Sequence, residues 1–492
     1  MAQTNVRTHP PSHTLTRYKS DVSTTAPAIS SNIPTEIWRC VFDLVPRSVQ
    51  LALACVNRAC LETYRAIRYR ALRLEDYGPV TKRLVRILAC VDVLCRDPAI
   101  ASLVHDVYVR PWDISCESRR KKHHLPFRCW LRINRVFSPS EAEQLSRERA
   151  NRRARRRITR IRDVLATIPA VRYAIEWDEQ VPYPNNFFTQ LLEPVLRGTM
   201  RETLAHLSLK IPAATLLANR LVGIRFPALE TLHIELCIFR ADLMYAADFI
   251  DDIRMFINAI EDPTRPRLSA LELGITSSSY PFDLGLLLQG LVPFRALDRF
   301  ELTIPFNGTH LHDVAGLRRF LTRSAPQLHR LALCTRRASP AEAEPNSAWV
   351  LAALRGLTLP RLLSAELALR PVVGPFELSV LAGWLEAHAD GLRSLALTDR
   401  QLALEEVAVL MAALNRDTAR RLRLRVRRLS AALLTVLAQA LPLLRKLDII
   451  FGDIGAAEDA ADGVVAFSRA LRDQEATYQS WHLARLTLRQ PF

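Results

Sequence analysis

Cys116, His123, His124 and Cys129 are the side chains that come closest to a metal-binding pattern in this sequence. They lie within fourteen residues, and thiolate and imidazole groups are ligands that zinc prefers. Structural zinc sites usually take cysteine ligands from positions two to four residues apart, and no such close cysteine pair is present. A loop with incidental ligand types is the simpler interpretation, so we predict no metal site and no cofactor.

Neighbouring carboxylates are the other candidates for chemistry: Asp178-Glu179, Asp251-Asp252 and Glu405-Glu406. Side chains at adjacent positions point to different sides of a helix or strand, which favours solvated surface charge over an acid/base pair. The sequence contains no phosphate-binding loop, dinucleotide fingerprint, nucleophile elbow or His-Glu-x-x-His motif. We therefore predict a protein that is not an enzyme.

A short apolar phrase recurs ten times and indicates the elements that position the remaining polar residues. The phrase consists of an aliphatic residue, any two residues, a second apolar residue, any one residue and a third aliphatic residue. The second half of the phrase has the period of a strand with one buried face, and the stretches between phrases have a helical period. The phrases begin at Val104, Leu204, Leu229, Leu268, Leu297, Leu328, Leu362, Leu392, Leu444 and Leu483. A weak phrase also occurs around Leu422-Arg-Leu424.

A strand-plus-helix unit of about thirty residues cannot bury its apolar face alone, so successive units must stack into a solenoid. The phrases resemble leucine-rich repeats with insertions, which predicts an α/β fold: an irregular β-α solenoid over residues 76–492. Residues 1–30 are rich in Ser, Thr, Pro and His and predict a disordered leader. Residues 31–75 predict three short helices, the third ending at Leu74, and Thr81 to Leu103 predict one long helix.

Polar residues that alternate with the buried positions of the phrase are expected on the concave face of the solenoid. Among them, Glu272, Glu301 and Glu366 occupy the same place in nearby repeats, and could form an acidic row that selects a basic segment of a partner. Ordinary solvated strand positions are the alternative. The predicted concave-face residues are Tyr108, His206, His233, Glu235, Glu272, Arg299, Glu301, Arg330, Glu366, Asp448 and Arg485.

The net charge of +17 is concentrated in one region of the 492-residue chain. Residues 147–162 carry +8 and residues 119–128 carry +5, within a basic insertion expected at about 111–168. A helical pattern here places Ile158, Ile161 and Leu165 in a narrow apolar stripe that is expected to dock on the solenoid. A solvated basic surface, nuclear import, an acidic partner and nucleic acid remain open roles. The central arginines are Arg152, Arg153, Arg155, Arg156 and Arg157.

Composition limits the class of protein and the compartment. Hydrophobic residues make up 49% of the chain, which excludes wholesale disorder. The nine cysteines are odd in number and scattered, which favours a reducing cytoplasm or nucleus. The sequence shows neither an apolar run of 18 residues nor a leader of the secretory type, so we predict no membrane partner.

The segment from residue 31 to 75 resembles an F-box. Ile33-Pro34-Thr-Glu36-Ile37 matches the opening of that family, and Val41-Phe42-Asp43-Leu44 and Leu51-Ala-Leu53-Ala-Cys55-Val56 match its next two apolar groups. Gln50 departs from the family pattern at a position that is usually apolar, and Leu61 stands where tryptophan is common. An F-box-like segment followed by leucine-rich repeats is the layout of substrate receptors of SCF ubiquitin ligases.

The resemblance implies an adaptor that docks on a Skp-type protein of a cullin-RING ligase and holds an unknown substrate protein on its repeats. The alternatives are a leucine-rich-repeat module without ligase function, whose first helices cap the solenoid, and a basic nucleic-acid-binding protein. The residues implied in docking or in supporting the docking surface are Pro34, Ile37, Val41, Phe42, Leu44, Leu53 and Val56.

Overall fold

Thirteen strands form one sheet in which each strand is parallel to the next, in the order of the sequence. The structure is a computed structural model. Parallel neighbours need a crossover connection, usually a helix, and helices occupy most of the described intervals between strands. The described residues are 33–74, 80–110, 148, 152, 155–177, 187–214, 224–261, 264–305, 310–311, 313–336, 348–369, 377–455 and 463–490.

The strands are numbered along the chain, and ten of them coincide with the ten apolar phrases. The α/β solenoid predicted from the phrases is therefore confirmed. The strands are β1 (Ala71–Leu74), β2 (Asp106–Val109), β3 (Arg172–Glu176), β4 (His206–Pro212), β5 (Thr231–Cys237), β6 (Ala270–Ile275), β7 (Arg299–Pro305), β8 (Arg330–Arg336), β9 (Ser364–Ala368), β10 (Ser394–Leu402), β11 (Arg421–Leu429), β12 (Lys446–Ile454) and β13 (Arg485–Arg489).

The labelled helices are numbered in the same way, and a 3₁₀ turn at Arg240–Tyr245 precedes the eighth. They are α1 (Thr35–Leu44), α2 (Arg47–Ala54), α3 (Arg58–Tyr69), α4 (Val80–Arg96), α5 (Pro98–Ala101), α6 (Phe187–Arg197), α7 (Met200–Thr203), α8 (Ala246–Ile260), α9 (Leu284–Gln289), α10 (Val314–Ser324), α11 (Ala348–Leu354), α12 (Leu378–Ala387), α13 (Leu404–Ala412), α14 (Ala431–Ala440), α15 (Gly463–Asp473) and α16 (Glu475–Tyr478).

The register aligns the apolar positions of the phrase across the sheet. Leu232, Leu271 and Phe300 are paired neighbours on β5, β6 and β7, and all three are buried. The helices contribute Leu287 and Phe320 to the same core. Helices therefore cover one face of the sheet, and the side chains on the opposite face alternate with the buried leucines.

Two predicted helices differ from the structure. The third helical stretch was expected to reach Leu74, but α3 ends at Tyr69 and the next residues form β1. A single helix was expected from Thr81 to Leu103, but α4 ends at Arg96, and Asp97 begins a new helix by accepting the Ala99 N–H at 3.0 Å. Pro98, at the first position of α5, lacks the N–H that a continuous helix requires.

The chain forms two compact units, residues 1–67 and residues 68–492. The described part of the first, residues 33–67, contains α1, α2 and most of α3, and is called the helical unit below. The second contains the whole sheet and is called the solenoid. Within the described ranges, none of the helices is long and apolar enough to cross a membrane.

Candidate interaction surfaces

The predicted docking residues of α1 fall on two apolar stripes of the helix, one buried and one largely exposed. Phe42 is fully buried, and Trp38, one turn earlier, is half-buried on the same side. Ile37 and Leu44 lie on the neighbouring side and are 51% and 86% exposed, with Val41 half-buried between them. Phe42 thus stabilises the helical unit, whereas Ile37 and Leu44 are available to a partner.

The second helix and the residues after it add three exposed apolar side chains. Leu51 is 60% exposed, Val56 is 62% exposed and Val49 is also exposed, whereas Leu53 is half-buried. Sequence reasoning missed Val49 and Leu51, although two apolar residues flanking Gln50 were a signal. Val49 and Leu51 lie two positions apart in α2 and therefore face different sides of that helix. The five exposed residues Ile37, Leu44, Val49, Leu51 and Val56 are together called the apolar surface below; large exposed aliphatic groups mark interaction sites.

Gln50 has a structural role that explains its departure from the F-box pattern. Its side-chain amide donates to the carbonyl of Phe42 at 2.8 Å and to the carbonyl of Val45 at 3.1 Å. The last carbonyls of a helix have no partner within the helix, so a side-chain donor satisfies them. Gln50 therefore joins the start of α2 to the end of α1 and fixes the turn between them.

The solenoid places all the predicted concave-face residues of strands β2 to β9 on the sheet face opposite the helices, called the open face below. His233, Glu272 and Glu301 are direct neighbours in one row across β5, β6 and β7. Arg299 and Arg330 are paired in the row before it, and Glu235 lies in the row after it. The residues of the middle row that were predicted from the sequence are Tyr108, His233, Glu272, Glu301, Glu366 and, further along on β12, Asp448.

Glu235 is the most buried charge on the open face, with only 6% of its side chain exposed. Arg336, three strands away, binds both carboxylate oxygens, and Lys210 Nζ lies 3.2 Å from Oε1. Burial on its own raises the pKa of Glu235, but the hydrogen bond and charge of Arg336, together with Lys210, outweigh it and lower that pKa. The carboxylate is therefore an internal anchor of the sheet rather than a free anion.

The predicted acidic row is present, but a cation lies within it. The guanidinium of Arg299 is 3.1 Å from a Glu272 oxygen and 2.8 Å from a Glu301 oxygen. Glu366 is separated from Glu301 by Ala332 on β8, and Arg423 lies 3.9 Å from it. The row is thus partly neutralised from within, which reduces its power to select a basic segment.

Two other predicted residues have local partners. The ring of Tyr108 is covered by the guanidinium of Arg73 at 5.0 Å from its centroid. Nδ1 of His233 lies 2.9 Å from the hydroxyl of Ser208, within hydrogen-bond distance. Both side chains therefore belong to small clusters on the open face.

Asp399 is a residue that sequence reasoning missed. Its φ of 70° places it in the left-handed region, which few non-glycine residues adopt, and its carboxylate accepts the hydroxyl of Thr335 at 2.7 Å. Burial, with the nearby negative charges of Glu366, Glu301 and Asp399, raises the pKa of Cys334 to about 12, so this thiol is protonated and unreactive at neutral pH. Asp399, Thr335 and Cys334 come together only through the pairing of strands, so the sequence alone carries no signal for this cluster.

The arginine-rich helix belongs to the regular order of the solenoid. Residues 155–165 are helical and lie in the crossover between the parallel neighbours β2 and β3. Ile158, Ile161 and Leu165 are buried in the core, as the apolar stripe indicated. Arg152, Arg155 and Arg156 are exposed and Arg157 is half-buried, whereas Arg153 lies outside the described residues.

The described residues contain no group of three or more His, Cys, Asp or Glu side chains that could hold a metal ion. The candidates between Cys116 and Cys129 lie outside those residues. The expectation of no metal there stays a prediction.

No protein-family model and no curated protein matches this chain. The solved structures that are similar to it at low identity include those of two proteins, LegL7 and TLR13. The leucine-rich-repeat-containing protein LegL7 from Legionella pneumophila is 16% identical with a TM-score of 0.35, over 64% of this chain and 94% of that one. TLR13, in a complex with ssRNA13, is 15% identical with a TM-score of 0.29, over 67% of this chain and 44% of that one.

These similarities carry no information about partners. The fold rests on the chain's own geometry: parallel strands in sequence order, one apolar phrase in nearly every strand, and helices on one face. The chain is an α/β solenoid in which a leucine-rich phrase recurs in most of the strands.

Proposed function

We propose that this chain is the substrate-recognition adaptor of an SCF-type cullin-RING ubiquitin ligase. The helical unit would dock on a Skp-type adaptor through the apolar surface, and the open face of the solenoid would hold a substrate protein. The chain would act without chemistry of its own: tethering raises the effective concentration of a substrate lysine at the ubiquitin-charged enzyme of the ligase.

The observation that carries the proposal is the exposure of the apolar surface. Five large aliphatic side chains are exposed within the twenty residues from Ile37 to Val56, and apolar exposure at this density marks an interaction site. Leu44 is the most exposed of the five, at 86%. Burying exposed aliphatic groups of this kind against a partner is favourable, because it removes apolar surface from water.

The second candidate is a leucine-rich-repeat interaction module without ligase function. The open face favours it independently of the helical unit, because it presents charged and polar side chains on a rigid sheet. The two candidates differ in one respect only: the module needs no Skp-type partner.

We expect Ile37→Asp/Leu44→Asp to weaken binding to a Skp-type adaptor by about 30-fold or more, because a charge would be buried at the centre of the interface. Affinity is measured by calorimetry on the purified full chain. Both side chains are exposed, so the helical unit should keep its helix content in circular dichroism.

The matched control is Val464→Asp/Val465→Asp on α15, which changes two equally exposed valines of the solenoid. This variant should bind the adaptor as the wild type does. If a well-folded wild type fails to bind any Skp-type adaptor, the proposal is wrong and the interaction module is favoured. Equal losses in both variants would also contradict it.

A further inference from the structure

The open face of the last three strands has a charge unlike the rest of the sheet. Its first three rows over β11, β12 and β13 present nine side chains, six of them cations and one an acid. The corresponding positions on β5, β6 and β7 carry three glutamates and one arginine. The nine residues, called the basic face below, are Arg421, Arg423, Arg425, Lys446, Asp448, Ile450, Arg485, Thr487 and Arg489.

Three of these cations are placed where they repel one another. Arg421, Lys446 and Arg485 are direct partners in one row of the sheet, and all three are exposed. Neighbouring strands lie about 4.8 Å apart, and like charges at directly opposed positions destabilise a sheet. The row therefore does not serve the stability of the fold, and a bound anion would relieve the repulsion.

Asp448 orients the arginines at the centre of the basic face, but some of their N–H groups have no hydrogen-bond acceptor in the part of the chain that the structure describes. Asp448 lies 3.6 Å from Arg423 Nε and 3.4 Å from an Arg489 nitrogen, so one carboxylate positions two guanidinium groups. Nε of Arg425 is shielded from solvent and has no hydrogen-bond acceptor among the described residues, and Nε of Arg423, 3.6 Å from the Asp448 carboxylate, is just beyond hydrogen-bond distance of it. A shielded donor without an acceptor is costly, and a bound anion would supply an acceptor here.

The chemistry of these residues selects the class of ligand. Five of the six cations are arginine, whose planar fork binds carboxylate or phosphate with two hydrogen bonds. Single-stranded nucleic acid is normally held by aromatic stacking as well, and the nine positions include no aromatic residue. Asp448 adds an acceptor for a backbone N–H, which suits a peptide better than a continuous phosphate backbone.

We propose that the basic face binds an extended peptide segment carrying several carboxylates or phosphates. The cations span about 10 Å across three strands and about 13 Å along β11 and along β13, which fits three to five residues of an extended chain. This inference rests on the proposed role of the solenoid in holding a partner protein, but not on docking by the helical unit.

The test uses the full chain and fluorescent ten-residue peptides, with affinity followed by anisotropy. The first probe is a peptide of alternating glutamate and serine. In the second probe phosphoserine replaces each glutamate, and in the third, neutral probe glutamine replaces each glutamate. We expect both anionic peptides to bind and the neutral one not to bind. The stronger of the two anionic peptides identifies carboxylate or phosphate as the natural source of charge.

Arg421→Gln/Arg423→Gln/Arg485→Gln should weaken binding of the anionic peptides about tenfold or more. The matched control removes three exposed arginines from the arginine-rich helix, as Arg152→Gln/Arg155→Gln/Arg156→Gln, and should leave affinity within about twofold. Circular dichroism and thermal unfolding establish that both variants are folded.

Three results would overturn the inference: equal losses in the two variants, equal binding of the neutral peptide, or no binding of any peptide. A twelve-nucleotide oligouridylate that bound more tightly than both peptides, and lost affinity in the same variant, would assign the face to nucleic acid instead. No Skp-type adaptor is in the assay, so its outcome is separate from that of the docking experiment.

Discussion

Gly316→Ala is expected to lower the free energy of unfolding of the solenoid by about 3 kcal/mol. Gly316 lies in α10, where it faces Gly285 of α9 in the preceding repeat. A Cβ atom at Gly316 would lie 2.0 Å from the carbonyl oxygen of Gly285 and 3.0 Å from its Cα. Because these are backbone atoms, no side chain can move aside, and the two helices would have to separate.

Gly383 provides the matched control for this prediction. It lies inside α12, and a Cβ atom there would meet nothing within 4 Å. Gly383→Ala should therefore stabilise the chain by about 0.5–1 kcal/mol, since alanine loses less backbone entropy in a helix. Chemical denaturation followed by circular dichroism measures both variants. A loss below about 1 kcal/mol at Gly316 would show that α9 and α10 are not packed this closely.

Arg336→Ala is expected to cost about 3 kcal/mol, because it leaves the buried carboxylate of Glu235 with Lys210 as its main counter-charge. Arg336 and Glu235 are 101 residues apart in the sequence, so the pair ties β8 to β5 across two intervening strands. Adding Glu235→Gln should recover part of the loss, since a neutral amide costs less to bury than an unpaired charge. A double-mutant cycle of Arg336→Ala and Glu235→Gln measures the interaction free energy between the two side chains.

The pH dependence of this loss follows from the lowered pKa of Glu235. A carboxyl group whose pKa is lower in the folded chain stabilises it above the unfolded value of about 4.3. That contribution disappears as the pH falls through the folded pKa. The difference between the wild type and Arg336→Ala should therefore be full at pH 7 and shrink on acidification below about pH 4. A difference that does not change with pH would contradict the ion-pair explanation.

The repeat architecture could be predicted from the sequence because each apolar phrase carries its own strand signal. β1 could not, because Leu72 and Leu74 in a four-residue segment are compatible with the end of a helix as well as with a strand. Only pairing with β2 identifies the segment as a strand. In the same way, Leu422 and Leu424 gave only a weak phrase, yet β11 is nine residues long.

The interaction surfaces were harder to predict, for two physical reasons. In α1 the inward residue Phe42 and the outward residue Leu44 are both apolar, so residue type alone could not divide them. On the open face, parallel register brings together residues far apart in the chain. Arg421, Lys446 and Arg485 are adjacent across the sheet, whereas charge counted along the sequence placed the basic region near residues 119–162.

The most direct test of the central claim is hydrogen exchange of the full chain with and without a saturating Skp-type adaptor. We predict slower exchange in α1 and α2, around Ile37, Leu44 and Leu51, and unchanged exchange in strands β5 to β13. That result would place the docking site on the apolar surface and leave the open face for a substrate. Protection confined to the solenoid, or none in residues 35–56 at saturation, would contradict the claim that the helical unit is the docking element.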